Sequence, residues 1–315
     1  MDRKKVVFAG AGPTSIGSPW GTLGLITKRA IEPLGYEVDI EPASFGAGNP
    51  RYVGDGKTDL GATQLRAVRE AYRGTQAYEA DGPRASLRLI ATINQPSWIG
   101  VAVPADSGID DIGDLARLEP RRVKTGGDRA FDLLFEYYGF SRKSITAVVR
   151  GPEQDFNPAT RWAGRDENSI AEWVRTGEFD AIIDPIYAAY TPEHKHWWDA
   201  SILHDLKFFP LPPDLVQKMC DEDEVEGPGF IPHRLMRGVN EDIPTAQRLP
   251  QVIYTREDVD DAFIYEVTKA LDENRHLFRQ THLPYSYDPH TVARRRPVPL
   301  HPASERYYKE MGYPI

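Results

Sequence analysis

Short apolar runs alternate with amphipathic stretches along the first third of this chain. Val6-Val7-Phe8-Ala9 is apolar throughout and runs into the turn Gly10-Ala11-Gly12-Pro13, the pattern of a short buried strand. Over Thr22–Ile31 the residues Leu23, Ile26, Ala30 and Ile31 share one face of a helix, and Gly35 supplies its stop. Tyr36–Glu41 alternates as a second strand. Asp59–Ala62 reads as a third, Leu65–Tyr72 as the helix after it, and Leu87–Ile93 as a further strand. Such alternation predicts a mostly parallel, doubly wound sheet.

The rhythm begins again past Pro104. Trp98–Val103 reads as a strand ended by Pro104, Asp110–Leu115 as a short helix, and Arg121–Lys124 as a strand leading into Thr125-Gly126-Gly127. Asp128–Tyr138 predicts a helix with Phe131, Leu134, Phe135 and Tyr138 on one face and Asp128 as its cap. Ile145–Val149 predicts a strand, Ser169–Arg175 a helix, and Phe179–Ile183 a strand stopped by Asp184-Pro185. Asp221–Pro232 is acidic and rich in Gly and Pro, so it reads as a loop. Arg248–Tyr254 returns to strand character, and Val259–Leu271 predicts a helix buried through Phe263, Ile264, Val267 and Leu271. The fold class is therefore α/β: two doubly wound lobes with a cleft between them. Residues 1–103 and 245–315 are expected to form lobe I and residues 104–244 lobe II.

Composition narrows the function. The chain has 315 residues, enough for about two domains. Its 38 basic and 47 acidic residues give a formal net charge of −9, which argues against nonspecific nucleic-acid binding or docking on anionic membranes. One cysteine, Cys220, permits neither an internal disulfide nor a Cys-rich zinc site, and Asp221-Glu222-Asp223 beside it oppose thiolate formation. The apolar run after Lys4-Lys5 is too short for a signal peptide, and no stretch has the length of a membrane helix. As written the chain reads as cytoplasmic; a mature or truncated form would be extracytoplasmic.

Three local motifs invite chemistry. Gly10-Ala11-Gly12-Pro13-Thr14-Ser15 follows a strand and could seat an anion, but Ser15 stands where a dinucleotide fingerprint has its third glycine, and Pro13 removes a donor. The turn is equally open to a purely structural role or to another small ligand. Thr125-Gly126-Gly127-Asp128-Arg129 is a second strand–turn–helix site, where Arg129 could fork a carboxylate or Asp128 could simply cap. His194-Lys195-His196-Trp197-Trp198 is read as surface histidines with a partly buried Trp pair rather than a metal site, and His301 as a packing residue. No nucleophile elbow or Walker loop occurs, and no cofactor or metal is expected.

The C-terminal block Val298-Pro299-Leu300-His301-Pro302-Ala303-Ser304-Glu305-Arg306-Tyr307-Tyr308-Lys309-Glu310-Met311-Gly312 resembles the closing signature of the TAXI family, the solute-binding subunits of TRAP transporters. That signature has a Leu-His-Pro-Gly-Ala block, a Tyr-Tyr pair with Glu, and then Gly; Ala303-Ser304 replace its Gly-Ala. Ala105–Ile109 with Asp114-Leu115 and Arg122-Val123, Gly177–Ala181, and Val267–Leu271 resemble further family blocks in order and spacing.

The resemblance implies a periplasmic-binding-protein type II fold whose lobes are joined by a hinge. It implies a clamped small organic ligand, carboxylate-containing or aromatic, and permease subunits as partners. By position it places Gly12, Thr14 and Ser15 in a first ligand loop, with Trp20 as a stacking residue. Ser44 and Asn49, then Thr63 and Gln64, would follow in the same lobe. Gly126, Gly127, Asp128 and Arg129 would start the second-lobe helix, with Asp184 and Tyr187 at its rim. The family's Ser-Gly-Thr block here reads Gly-Gly-Asp, which removes hydroxyls, adds an acid and argues against a simple dicarboxylate. The alternative is a cytosolic enzyme on the same scaffold, decarboxylase- or lyase-like, acting on an aromatic acid or heterocycle.

Overall fold

The computed structural model describes residues 4–10, 19–42, 48–117, 122–125, 128–140, 147–148, 176–190 and 194–315. Its strands, in chain order, are β1 (Lys4–Gly10), β2 (Tyr36–Pro42), β3 (Leu60–Gln64), β4 (Leu87–Ile93), β5 (Ser97–Pro104) and β6 (Arg122–Thr125). There follow β7 (Ala147–Val148), β8 (Ala181–Tyr187), β9 (Leu206–Phe208), β10 (Val225–Ile231), β11 (Ile243–Arg248) and β12 (Gln251–Arg256). The helices are α1 (Pro19–Ile31), α2 (Gly48–Gly54), α3 (Leu65–Arg73), α4 (Arg129–Tyr137), α5 (Lys195–Leu203), α6 (Pro213–Asp221), α7 (Asp261–Glu273) and α8 (Pro302–Glu310). The chain divides into two units, Met1–Gln95 with Pro250–Ile315, and Pro96–Leu249.

Unit 1 holds a five-stranded sheet in the order β2-β1-β3-β12-β4. Strands β1, β2 and β3 are parallel, and β12 runs antiparallel between β3 and β4. The apolar stripe read in the sequence does close the core: Leu23 and Ile31 of α1 pack with Ile253, Ile264, Val267 and Leu271. Helix α7 is capped by Asp260, whose side chain accepts from the Phe263 amide at 2.9 Å.

The C-terminal block seals the β4 side. The Leu89 amide donates to the Pro299 carbonyl and the His301 amide to the Leu89 carbonyl, both at 2.8 Å. His301 is fully buried; its Nδ1 accepts from the Ala303 amide as the cap of α8, and burial lowers its pKa, keeping that acceptor neutral. Tyr308 donates to the Ile90 carbonyl at 3.1 Å, and Tyr307 to Asp272 at 2.8 Å.

Unit 2 holds a second sheet in the order β10-β11-β5-β8-β6-β7, with β9 beside β5. The β6 pairings are parallel and the others antiparallel. One face is covered by Phe131, Leu134 and Phe135 of α4 with Leu215 and Met219 of α6, the other by Trp197 and Ala200 of α5. Gly100 permits that second packing, because a Cβ there would lie 2.6 Å from Ile186 and 2.8 Å from the Trp197 ring.

Several expectations need correction. The chain enters unit 2 at Pro96, before the expected boundary at residue 103, because β5 pairs only within the second sheet. Arg248–Tyr254 is not one strand: Leu249-Pro250 divides it into β11 of unit 2 and β12 of unit 1. Asp221–Pro232 is not all loop, since Val225–Ile231 is an edge strand on β11, where Pro228 and the φ +156° of Gly227 are tolerated. Asp184-Pro185 does not stop β8, because its β6 pairing has already ended at Ile183 and proline interrupts no ladder there. His196 is buried with Trp197, so that histidine is not on the surface. The predicted helix Ser169–Arg175 lies outside the described residues. Among the described residues, no helix is long and apolar enough to cross a membrane.

Candidate functional site

In unit 1 the carboxyl ends of β1, β2, β3 and β4 share one sheet edge, where β12 begins. Ligands of α/β sheets sit outside such edges. Register brings neutral polar groups there. Gln251 pairs with Gln64 on one side and Ile93 on the other, and Gln95 follows just beyond Ile93. Trp20, buried in the first turn of α1, donates its indole Nε1 to Gln251 Oε1 at 2.5 Å. That leaves Gln251 its amide nitrogen as the donor end. The next row inward is Thr63, Val252 and Thr92. Both hydroxyls are buried and meet no hydrogen-bond partner among the described residues.

Asn49 lies behind this edge. Its Nδ2 donates to the Ala9 carbonyl at 3.2 Å and the Ala62 carbonyl at 2.8 Å, and its Oδ1 accepts from Tyr254 at 2.5 Å. The side chain thus staples α2 across β1 and β3 and turns most of its hydrogen-bonding capacity inward. Gly61 lets Tyr254 approach, since a Cβ there would sit 2.8 Å from the tyrosine ring.

The edge of unit 2 is charged. Arg248, at the end of β11, donates to the Tyr187 hydroxyl at 3.2 Å and pairs with Asp128. Asp128 occupies the cap position of α4 but makes no side-chain cap bond, so its carboxylate serves Arg248 instead of the helix. One step inward, Asp184 accepts from Lys124 at 2.9 Å, and its Oδ2 lies 3.0 Å from His196 Nε2. Burial alone would raise the Asp184 pKa; the Lys124 ammonium and the adjacent His196 outweigh it and hold the carboxyl well below the usual range. The His194 ring lies 4.5 Å from the Tyr187 ring, and burial drives its pKa well below the ordinary imidazole value despite Asp184 nearby.

The structure therefore brings Trp20, Thr63 and Gln64 to one edge, and Asp128 and Tyr187 together through Arg248. Arg129 turns away, its guanidinium bound to Glu136 at 2.5 Å and Glu222 at 3.0 Å. Gly12, Thr14, Ser15, Ser44, Gly126 and Gly127 lie outside the described residues. Sequence reading missed Lys124, Arg248, Gln251 and Gln95. The signal for the first two was a cation within a short strand; for the glutamines it existed only in strand register. Among the described residues, no three His, Cys, Asp or Glu side chains gather to hold a metal ion.

The sequence model of the NMT1-like family matches residues 26–159 and 197–312. Among solved structures, YckB of Bacillus subtilis is 15% identical over 90% of this chain and 91% of its own, with a TM-score of 0.45. The periplasmic aliphatic sulphonate-binding protein SsuA of Escherichia coli is 13% identical over 89% of this chain and 75% of its own, with a TM-score of 0.45. The glycine betaine and L-proline binding protein ProX of Borrelia burgdorferi is 13% identical over 97% of this chain and 100% of its own, with a TM-score of 0.42.

Proposed function

The chain belongs to the NMT1-like family, and from that premise we propose that it is a solute-binding protein of the TAXI type, holding a small carboxylate-bearing organic ligand. In this reading it works outside the cytoplasm and delivers its cargo to a TRAP-type membrane permease. The observation that carries the ligand class is Arg248: its side chain is 8% exposed and fixed at a strand end by Tyr187 and Asp128. A guanidinium held this way is a ready fork for a ligand carboxylate, which would exchange with Asp128 at little reorganisation cost. A simple dianion fits poorly, because Lys124 and Arg248 are already matched by Asp184 and Asp128.

The test is a thermal-shift screen of the whole chain against organic, amino and aromatic acids, each hit then followed by NMR for hours. A ligand that binds the folded state raises the midpoint by mass action. Unchanged hits whose affinity falls in Arg248→Met support the receptor. The His196–Asp184 contact at 3.0 Å favours one second reading, acid–base chemistry on the same scaffold. A hit that is consumed, and spared in His196→Gln, would replace the receptor with that enzyme.

A further inference from the structure

Gln95 is 4% exposed, and neither its Nε2 nor its Oε1 meets a hydrogen-bond partner among the described residues. Its backbone is held firmly: its own amide donates to the Ile93 carbonyl at 3.0 Å, and the Asn94 amide before it donates to Ser286 at 2.8 Å. A buried primary amide with both ends unsatisfied destabilises the protein that carries it. An apolar side chain of the same size would fill the place better, so the amide has a use outside the packing. Beside it, Gln251 keeps an amide nitrogen directed by the Trp20 bond, and Thr63 and Thr92 add two unsatisfied hydroxyls in the next row. The side chains named here are all neutral, so they do not by themselves select an ion.

We propose that Gln95 is a specificity-determining residue that reads a planar donor–acceptor edge on the ligand, the edge of a lactam or carboxamide. A primary amide presents one N–H donor beside one carbonyl acceptor, and only a group with the reverse pair in the same plane satisfies both at once. A ligand carrying a carboxylate alone leaves the Gln95 acceptor unmet. A ligand carrying an alcohol alone meets one end. The proposal rests on the solute-binding reading above and refines it by naming the ligand edge that Gln95 recognises.

The experiment uses two matched probe pairs on the whole chain, pyroglutamate against cyclopentanecarboxylate, and 2-pyridone-5-carboxylate against benzoate. Wild type and Gln95→Met are compared by thermal shift and titration calorimetry. At least one lactam probe should bind wild type about tenfold or more tighter than its carbocyclic match, and Gln95→Met should erase that preference. Gln95→Met should also raise the ligand-free midpoint by about 2 °C, because it removes two unsatisfied buried atoms.

If both members of each pair bind equally to both proteins, solute binding stands and the role of Gln95 falls. If no probe binds, the lactam class falls while the wider acid screen still judges the receptor. A lower ligand-free midpoint in Gln95→Met would show that the amide is structurally satisfied, and would overturn the proposal independently of any ligand.

Discussion

The carboxyl edge of the first sheet is assembled from neutral groups, Trp20, Gln64, Gln251 and Gln95, whereas that of the second is assembled from ions, Lys124, Asp184, Arg248 and Asp128. The difference follows from what each kind of group tolerates. A buried neutral donor or acceptor left without a partner costs about 1–3 kcal/mol, which a folded domain can absorb once or twice. A buried ion without a counter-ion costs several times more, so ions enter the interior as matched sets. Unit 1 can therefore hold amide and hydroxyl groups in reserve, and Gln95 and Thr63 are held that way. Unit 2 cannot, and its cations are already paired. Shape and hydrogen-bond pattern are thus the natural language of the first edge, and exchange of one carboxylate for another that of the second.

The comparison breaks most visibly at Lys124. Lys124→Met leaves Asp184, whose side chain is 3% exposed, beside His196 without its ammonium partner. The expected loss is about 3–5 kcal/mol in urea unfolding, and Lys124→Met with Asp184→Leu should recover most of it. In unit 1 the matching lesion is Asn49→Ala, which strands the Ala9 and Ala62 carbonyls and the Tyr254 hydroxyl. Its cost should be about 3 kcal/mol, with Tyr254→Phe accounting for roughly a third. A double substitution that recovers nothing in unit 2 would dissolve the distinction between the two edges.

Legibility divides along the same line. Local periodicity gives β4 over Leu87–Ile93 and the buried face of α7, because each depends on residues within one element. The block Leu300-His301-Pro302 with Tyr307-Tyr308 offered the sequence a family resemblance and no packing role beyond that of His301. In the structure it is a closure device, bridging to Leu89 and bonding to Ile90 and Asp272. The polar edges were not legible in this way. Gln251 meets Gln64 only because β12 returns from the far end of the chain, and Arg248 meets Asp128 across 120 residues. Asp128 satisfied every local rule for a helix cap, yet its side chain answers to a guanidinium from another element. The strand Val225–Ile231 escaped for a related reason: edge position, invisible in sequence, is what excuses its Pro and Gly.

Acid should sharpen the comparison next. Burial holds the His194 pKa well below its ordinary 6.5, so the unfolded chain takes up a proton there that the folded chain refuses. Stability is then complete above about pH 6.5 and declines as pH falls, by at most about 1.4 kcal/mol per pH unit for one proton. Asp184, with its pKa also lowered in the folded state, adds a loss of the same sign only below the ordinary carboxylate range. In unit 1, His282 and His301 have lowered values too and share the first decline. His194→Gln isolates the unit 2 share: urea midpoints between pH 7.5 and 5 should flatten in the variant. Equal slopes in both proteins would mean that His194 titrates normally.

The smallest expected effect lies at Trp20, and it tests whether the neutral edge is organised or merely filled. Trp20→Phe keeps an aromatic ring against α1 and deletes the indole N–H that fixes Gln251 Oε1. Because the lost bond joins neutral groups, the stability cost should be only about 1 kcal/mol, read as a midpoint shift. The larger consequence is orientation: a Gln251 amide released from the indole presents either end to a ligand. The lactam preference assigned to Gln95 should then weaken in Trp20→Phe without disappearing. If the preference instead survives intact, Gln251 is scenery and Gln95 reads alone.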